Sequence, residues 1–160
     1  MSIARFARIS AQQYARDAAA YATKMAIEEI SLPCRATTGS AGYDFVCPVE
    51  VTMQPGDTAV IPTGIRCFME QGWVLLNCPR SSLGRKHGIR LANTVGVIDS
   101  DYVHADNEGH ILVMLVNGGD HTVTLHAGER FCQGIFLPFG LADEAVVTGE
   151  RSGGFGSTGK

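Results

Sequence analysis

The chain has 160 residues, a length typical of one domain with a core of its own. With 45% hydrophobic residues and 19 glycines, the composition indicates a turn-rich globular protein and excludes a disordered or fibrous one. The net charge is −3 and no apolar run reaches the length of a membrane span or resembles a signal peptide, so we expect neither nucleic acid nor a membrane as partner.

The cysteines are odd in number and none stands in a CxxC pair, so the sequence predicts neither a disulfide framework nor a zinc site. We interpret them as small buried residues of a protein in the reducing cytoplasm. They are Cys34, Cys47, Cys67, Cys78 and Cys132.

The N-terminal residues predict a strand followed by a short helix. Apolar residues alternate in residues 3–9, as in a short edge strand. Ser10 and Gln13 have the spacing of a capping box, in which each side chain bonds to the backbone N–H of the other. One face of an amphipathic helix then follows, formed by Tyr14, Ala18, Tyr21 and Met25. We interpret this face as core packing, with a binding surface as the alternative.

From about residue 30 the helical period is replaced by short β-type runs, separated by turn signals such as Gly118-Gly119-Asp120. The runs are VEVTM (49–53), TAVIP (58–62), WVLLNCP (73–79), HILVMLV (110–116), TVTLH (122–126) and RFCQGIFLPF (130–139). Many short strands at close spacing predict an all-β fold, a jelly-roll-like β-barrel. Pro62 and Pro79 are expected at strand ends or edges.

The connection after WVLLNCP carries the first candidate binding residues. Arg80, Ser81 and Ser82 follow the strand directly, and a glycine and two cations follow at residues 84–86. Hydroxyls, backbone N–H groups and fixed positive charge together suit a polyphosphate. Basic turns are also common on protein surfaces, so an ordinary surface turn is the alternative.

A candidate catalytic carboxylate follows the next predicted strand. In NTVGVIDSDY, residues 93–102, the apolar pair Val97-Ile98 leads to Asp99, with Tyr102 close behind. A carboxylate at the end of a rigid strand can accept a proton from water, and a tyrosine ring offers a flat face to a sugar. An aspartate at this place can also serve only to cap a turn.

The C-terminal segment RSGGFGSTGK, residues 151–160, is too rich in glycine to pack a core. A single apolar side chain cannot offset the entropy of ordering it, so the sequence predicts a flexible arm. Its glycines let the backbone lie close to a phosphate, Arg151 can neutralise charge, and the ring of Phe155 suits stacking on a base. A disordered tail without function is the alternative.

Taken together, these segments resemble the trimeric deoxyuridine triphosphate nucleotidohydrolases, the dUTPases. Five motifs stand in the family's order: AGYDF (41–45), PRSSLG (79–84), GVIDSDY (96–102), GERFCQ (128–133) and RSGGFGSTG (151–159). The resemblance spans residues 30–160. It implies one dUTPase-like β-barrel domain, residues 1–150, that includes an N-terminal extension, residues 1–29. It also implies that the flexible arm, residues 151–160, closes the active site.

The resemblance implies hydrolysis of dUTP to dUMP and pyrophosphate, which limits uracil incorporation into DNA and supplies dUMP for dTMP synthesis. Asp99 is similar to the family's water-activating carboxylate. Tyr102 would lie under the deoxyribose, and Asn93 would read the uracil by its donor and acceptor pattern. The substrate-binding residues implied are Arg80, Ser81, Ser82, Asn93, Val97, Ile98, Tyr102, Leu112, Gln133, Arg151, Phe155 and Gly156.

The resemblance also implies a cofactor and an assembly. Mg²⁺ would bind the three phosphates and neutralise charge on the leaving group, with Asp44 touching it through water only. The implied assembly is a homotrimer with three active sites, each built from all three chains. One chain would supply residues 93–102 and the following hairpin. A second would supply the PRSS segment, Asp44 and Gln133 around the triphosphate, and the third its arm.

Two features depart from the family pattern. An insertion, VHADNE (103–108), is either a longer hairpin tip or an edge of the nucleotide pocket formed by His104, Asp106 or Glu108. In the arm, Arg151 is followed by one residue fewer than in many members.

Two other functions remain alternatives. A dCTP deaminase, or a bifunctional deaminase and diphosphatase, on the same fold would need a carboxylate where this chain has Gln133. A regulatory protein would use the N-terminal helix or the insertion to bind a partner. Such a protein would be expected to have lost Asp99, Tyr102 or Phe155, and all three are present.

Overall fold

The computed structural model describes residues 2–143, and they are built mainly from short strands. The strands are β1 (Ala4–Arg8), β2 (Cys34–Arg35), β3 (Tyr43–Val46), β4 (Val51–Met53), β5 (Thr58–Pro62), β6 (Ile65–Met69), β7 (Trp73–Pro79), β8 (Ile89–Leu91), β9 (Gly96–Ile98), β10 (Leu112–Asn117), β11 (Val123–Leu125) and β12 (Arg130–Pro138). The helices are α1 (Ala11–Asp17) and α2 (Ser81–His87), with 3₁₀-helices at Ile27–Glu29 and Ser100–His104. No helix within residues 2–143 is long and apolar enough to cross a membrane.

The strands form a five-stranded sheet in the order β2-β3-β12-β7-β9 and a three-stranded sheet in the order β5-β10-β8. Two further pairs, β1-β6 and β4-β11, complete the sheets of the described chain. Every pairing among them is antiparallel. The predicted all-β, jelly-roll-like fold is confirmed. The predicted boundary between a domain of residues 1–150 and an arm of residues 151–160 lies outside the described residues.

Alternation of buried and exposed side chains along the strands builds the core. In β10 the burial alternates at every residue, as a strand with one face on the core requires. Phe45, Leu75, Leu115 and Phe131 are fully buried and belong to one apolar cluster. Burial of each such side chain contributes about 1.5–3 kcal/mol to stability before the entropy of ordering is subtracted.

The predicted strands largely match the observed ones. WVLLNCP is β7 and TAVIP is β5, and Pro62 and Pro79 are their last residues, as expected. The connection predicted after β7 contains a helix that the sequence did not predict, α2. Gly88 ends that helix in the left-handed conformation, with φ of 68°, and three basic side chains occupy its last turn.

At the N-terminus, the strand predicted at residues 3–9 is β1, which pairs with β6. Ser10 is the N-cap of α1, since its Oγ accepts a hydrogen bond from the Gln13 N–H at 3.1 Å. The other half of the predicted capping box is wrong. The Gln13 side chain bonds to Asp17, and the Ser10 N–H instead donates to the carboxylate of Glu108 at 2.9 Å.

The predicted helix is also too long, because α1 ends at Asp17. The Lys24 ammonium donates to the carbonyls of Ala18 and Tyr21, both at 3.3 Å, and so satisfies backbone acceptors just beyond the last turn. Tyr14 and Ala18 are buried, and the partly buried Tyr21 packs against the core. The interpretation of this face as core packing is confirmed.

The cysteines are free thiols, as predicted. Burial raises the pKa of Cys47 to about 11 and that of Cys67 to about 12, and it raises the pKa of Cys132 as well. The expectation of burial is wrong for Cys34, which is exposed on the two-residue edge strand β2, and Cys78 is half-buried.

Candidate active site

Three neighbouring strands bring several of the predicted residues to one place. In the five-stranded sheet, Asp44 on β3 lies opposite Gln133 on β12, and Gln133 lies opposite Cys78 on β7. Arg80 follows β7 directly. Residues predicted from distant motifs therefore meet at the end of β7, and we call Asp44, Arg80, Arg130 and Gln133 the cradle.

The cradle is positively charged. The Asp44 carboxylate, whose side chain is 11% exposed, forms an ion pair with Arg80, with 3.2 Å between Oδ1 and Nε, and accepts a hydrogen bond from Arg130 Nη1 at 3.0 Å. Because two guanidinium groups face one mostly buried carboxylate, the cradle has an excess of positive charge. An open cavity of about 550 Å³, also lined by His87 and His121, adjoins these arginines. Its size suits a small ligand, and its charge favours an anion.

Arg130 is a cradle residue that was not predicted from the sequence. It lies inside the GERFCQ motif, but the neighbouring residues do not indicate which way its side chain points. The pairing of β12 with β3 shifts register between Arg130 and Cys132, and such an irregularity re-aims a side chain. Here the Arg130 guanidinium reaches Asp44 across the strands.

Gly42 leaves room for the Gln133 amide. A Cβ at Gly42 would stand 2.4 Å from Gln133 Oε1, whereas a Cβ at Gly39 would meet nothing within 4 Å. We expect Gly42→Ala to displace the Gln133 side chain and to raise KM for a phosphate-bearing substrate about tenfold, with little loss of stability because only a flexible side chain must move. Gly39→Ala is the matched control. Equal KM values for the two variants would contradict a binding role for Gln133.

The serines of the PRSS segment begin α2. Ser81 and Ser82 are exposed in its first turn, directly after Arg80. Arg80 is the N-cap residue, but a guanidinium has no acceptor for a capping bond, and the Arg80 side chain forms an ion pair with Asp44. Hydroxyls next to a guanidinium can bind phosphate oxygens.

Asp99 directly follows β9 and is the N-cap residue of the 3₁₀-helix Ser100–His104. It is partly exposed, and its carbonyl accepts from the Tyr102 N–H at 3.2 Å. Tyr102 is 8% exposed, and its hydroxyl donates to the His110 carbonyl at 2.8 Å. Val97 is 59% exposed although it is apolar, whereas Ile98 is buried.

The segment before β9 contains a strained turn. The Asn93 carbonyl accepts from the Val95 N–H at 2.7 Å, a γ-turn centred on Thr94, whose φ is 68°. Positive φ is costly for a β-branched residue, and such strain clusters at functional sites. Asn93 itself is exposed, and Leu112 is half-buried at the start of β10, opposite Pro62.

The structure does not bring Asp99 to the cradle of the same chain. In the pairing of β7 with β9, Ile98 lies opposite Leu75. Arg80 is five residues beyond Leu75 and directly follows the last residue of β7. At the rise of a strand this separation corresponds to about 17 Å. Asp99 and the cradle therefore lie towards opposite ends of β7. Arg151, Phe155 and Gly156 lie outside the described residues.

Comparisons with known proteins agree with this architecture. A family model described as dUTPase matches residues 28–159. The deoxyuridine 5'-triphosphate nucleotidohydrolase of Lactococcus lactis is 46% identical over 140 residues, 86% of this chain and 93% of that protein. The corresponding protein of Hahella chejuensis is 44% identical over 139 residues, 82% of this chain and 88% of that protein.

Solved structures agree as well. A dUTPase from Streptococcus mutans, 41% identical, superposes with a TM-score of 0.70 over 87% of this chain and 98% of that one. A mutant dUTPase of phage phi11 of S. aureus, described with a coordinated structural Mg(II) ion, is 18% identical and has a TM-score of 0.70 over 94% of this chain and 100% of that one. Fold and motifs thus define a nucleotide-hydrolase architecture. The chain belongs to the dUTPase family.

Proposed function

We propose that this protein hydrolyses dUTP to dUMP and pyrophosphate, and so limits uracil incorporation into DNA and supplies dUMP for dTMP synthesis. The observation that carries the proposal is the cradle, in which two arginines surround the mostly buried carboxylate of Asp44 beside an open cavity. Its positive charge suits a triphosphate, and membership of the dUTPase family supports deoxyuridine as the nucleoside.

Each predicted residue has a role in this proposal. Asp99 accepts a proton from the water that attacks the α-phosphorus. Phosphate oxygens bind to Arg80, Ser81, Ser82, Gln133 and Arg151. The nucleoside contacts Asn93, Val97, Ile98, Tyr102 and Leu112. Phe155 and Gly156 of the arm cover the bound nucleotide, so that the site excludes water other than the nucleophile.

Magnesium fits this site only together with the substrate. Among residues 2–143 no group of three His, Cys, Asp or Glu side chains could hold a metal ion. The Asp44 carboxylate is already ion-paired with Arg80 and Arg130, so its oxygens suit an outer contact to a hydrated ion. We propose that Mg²⁺ binds the phosphate oxygens and that Asp44 contacts it through water. When bound, the ion neutralises charge on the pyrophosphate.

We propose that the active protein is a homotrimer with shared sites. Within one chain, about 17 Å along β7 separates the cradle from the Leu75–Ile98 pair that precedes Asp99. A general base must lie within hydrogen-bonding reach of the water that attacks the bound phosphate, so this distance supports a site shared between subunits. Asp99 of one subunit would complete the cradle of another, and a third subunit would add its arm.

The cytoplasm is the compartment that we propose for this protein. All five cysteines are free thiols in the structure. Free thiols, one of them exposed, are typical of proteins in a reducing compartment.

The direct test supplies each nucleotide separately with Mg²⁺ and measures both pyrophosphate and ammonia. We expect kcat/KM for dUTP to exceed the values for dCTP, dTTP and UTP by about 100-fold or more, since a hydrogen-bonding mismatch is rejected strongly. Ammonia from dCTP would instead indicate a deaminase. Turnover of UTP at a similar rate would contradict the role of Tyr102 under the deoxyribose.

A further inference from the structure

The N-terminal segment contacts the segment that the sequence predicts to be an insertion. Residues 2–27 precede the region that the family model matches, and residues 103–108 are the predicted insertion. Ser10, which begins α1, donates both its backbone N–H, at 2.9 Å, and its hydroxyl to the carboxylate of Glu108, 98 residues away. Arg66 on β6 lies 3.9 Å from the same carboxylate.

A second contact joins the end of α1 to His110, two residues before β10. His110 is fully buried, and its Nε2 accepts from the Gly64 N–H at 2.8 Å. The proton of a neutral imidazole is therefore on Nδ1, which donates to the Asp17 carboxylate. Gln13 donates to the same carboxylate oxygen at 3.0 Å. Burial lowers the pKa of His110 despite the opposing pull of Asp17, which favours the neutral ring.

His110 is connected directly to the candidate nucleoside site. Its carbonyl accepts from the Tyr102 hydroxyl at 2.8 Å and from Asn107 Nδ2 at 3.3 Å. Asn107 Nδ2 also donates to the Tyr102 hydroxyl at 2.9 Å. Gly109 makes the tight turn possible, since a Cβ there would stand 2.5 Å from the Cα of Val103. Asp17 and Tyr102 are thus both hydrogen-bonded to His110, Asp17 to its ring and Tyr102 to its carbonyl.

We propose that the N-terminal segment, residues 2–27, is a clamp that positions the nucleoside-binding turn, residues 99–110. Asp17 is a positioning residue that acts through His110, and Ser10 acts in parallel through Glu108. The insertion supplies Glu108 and Asn107 for these contacts, which gives the extension and the insertion one common role. The inference rests on the proposed function in one respect, the placement of Tyr102 under the deoxyribose.

The test compares Asp17→Ala, which removes the acceptor for His110, with Asp17→Asn, which keeps an oxygen in its place. Glu28→Ala is the control, because Glu28 is an exposed carboxylate next to the same segment. We expect Asp17→Ala to weaken dUMP binding and to raise KM for dUTP about tenfold. Inhibition by pyrophosphate should be unchanged, since the cradle lies on other strands. Asp17→Asn should restore binding to within about threefold, and Glu28→Ala should match the wild type.

Circular dichroism shows what fraction of each variant is folded, because an unfolded fraction raises the apparent Kd only in inverse proportion to the folded fraction. In a variant that is about nine-tenths folded or more, a tenfold loss of dUMP affinity therefore reports positioning and not stability. Glu108→Ala cuts the parallel contact and replaces Asp17→Ala if that variant does not fold. A dUMP affinity within twofold of the wild type in the folded variant would overturn the clamp.

Hydrogen exchange of the amides in residues 103–111 tests the clamp without turnover. Loss of protection there in Asp17→Ala, with protection kept in Glu28→Ala, supports it, and unchanged protection overturns it. If the wild type does not hydrolyse dUTP, the proposed function fails, and this measurement still decides whether the clamp exists.

Discussion

Asp99→Asn is expected to lower kcat for dUTP by about 10²–10⁴-fold while Kd for dUMP stays within a few-fold of the wild type. The amide keeps the shape of the side chain and loses the basic oxygen that takes the proton from water. Asp99 is partly exposed at the end of β9, so the change removes no core packing. Stopped assays of pyrophosphate release give kcat, and calorimetry with dUMP gives Kd.

Glu28→Gln is the matched control for that experiment, because it also replaces a carboxylate by its amide. Glu28 is exposed and lies outside both the cradle and the nucleoside-binding turn. We expect it to keep the wild-type kcat. If Asp99→Asn also keeps it, Asp99 serves only as the cap of the 3₁₀-helix Ser100–His104, and another group must activate the water.

Local pattern was sufficient where an element is defined by its own residues. β7 was predicted at its observed bounds because an apolar run of seven residues lies between a glycine and Arg80, which begins the next connection. β3 was not predicted as a strand, because its four residues include the carboxylate of Asp44 and are too few for a clear period. α2 was missed because Leu83 is its only large apolar residue. Its end is fixed by Gly88 in the left-handed conformation.

Contacts between residues far apart in the chain could not be predicted from the local sequence pattern. Ser10 and Gln13 have the spacing of a capping box, yet Glu108 supplies the acceptor for the Ser10 N–H. Likewise, His110 is the first residue of an apolar run that is typical of a strand. Nothing in the neighbouring sequence indicates that its side chain is fully buried between Gly64 and Asp17. Such pairs are set by packing of whole elements, which a single sequence does not display.

The sequence named three of the four cradle residues but not their arrangement. Motif order led to Asp44, Arg80 and Gln133, and the register of β3, β12 and β7 brings them together. Nothing in the residues themselves indicated that Asp99 lies towards the other end of β7. That separation follows from the antiparallel pairing of β7 with β9. Whether two subunits share each site can therefore be tested.

Mixing two inactive variants should therefore restore activity. Asp99→Asn keeps an intact cradle, and Arg80→Ala keeps an intact Asp99, so a site between the two kinds of subunit can combine one sound half from each. In randomly mixed trimers made from equal amounts, about one quarter of the sites have both sound halves. We expect co-refolded protein to recover about a quarter of the wild-type rate, measured as pyrophosphate release from dUTP.

A second mixture is the control for this recovery. Asp99→Asn refolded with the double variant Asp99→Asn/Arg80→Ala contains no intact Asp99 and should remain inactive. If the first mixture gives no more than the mean of its two components, Asp99 and Arg80 act within one chain. The separation along β7 would then have to close by a movement of β9 against β7. Recovery near one quarter needs no such movement, because the sound halves meet across the interface as the subunits assemble.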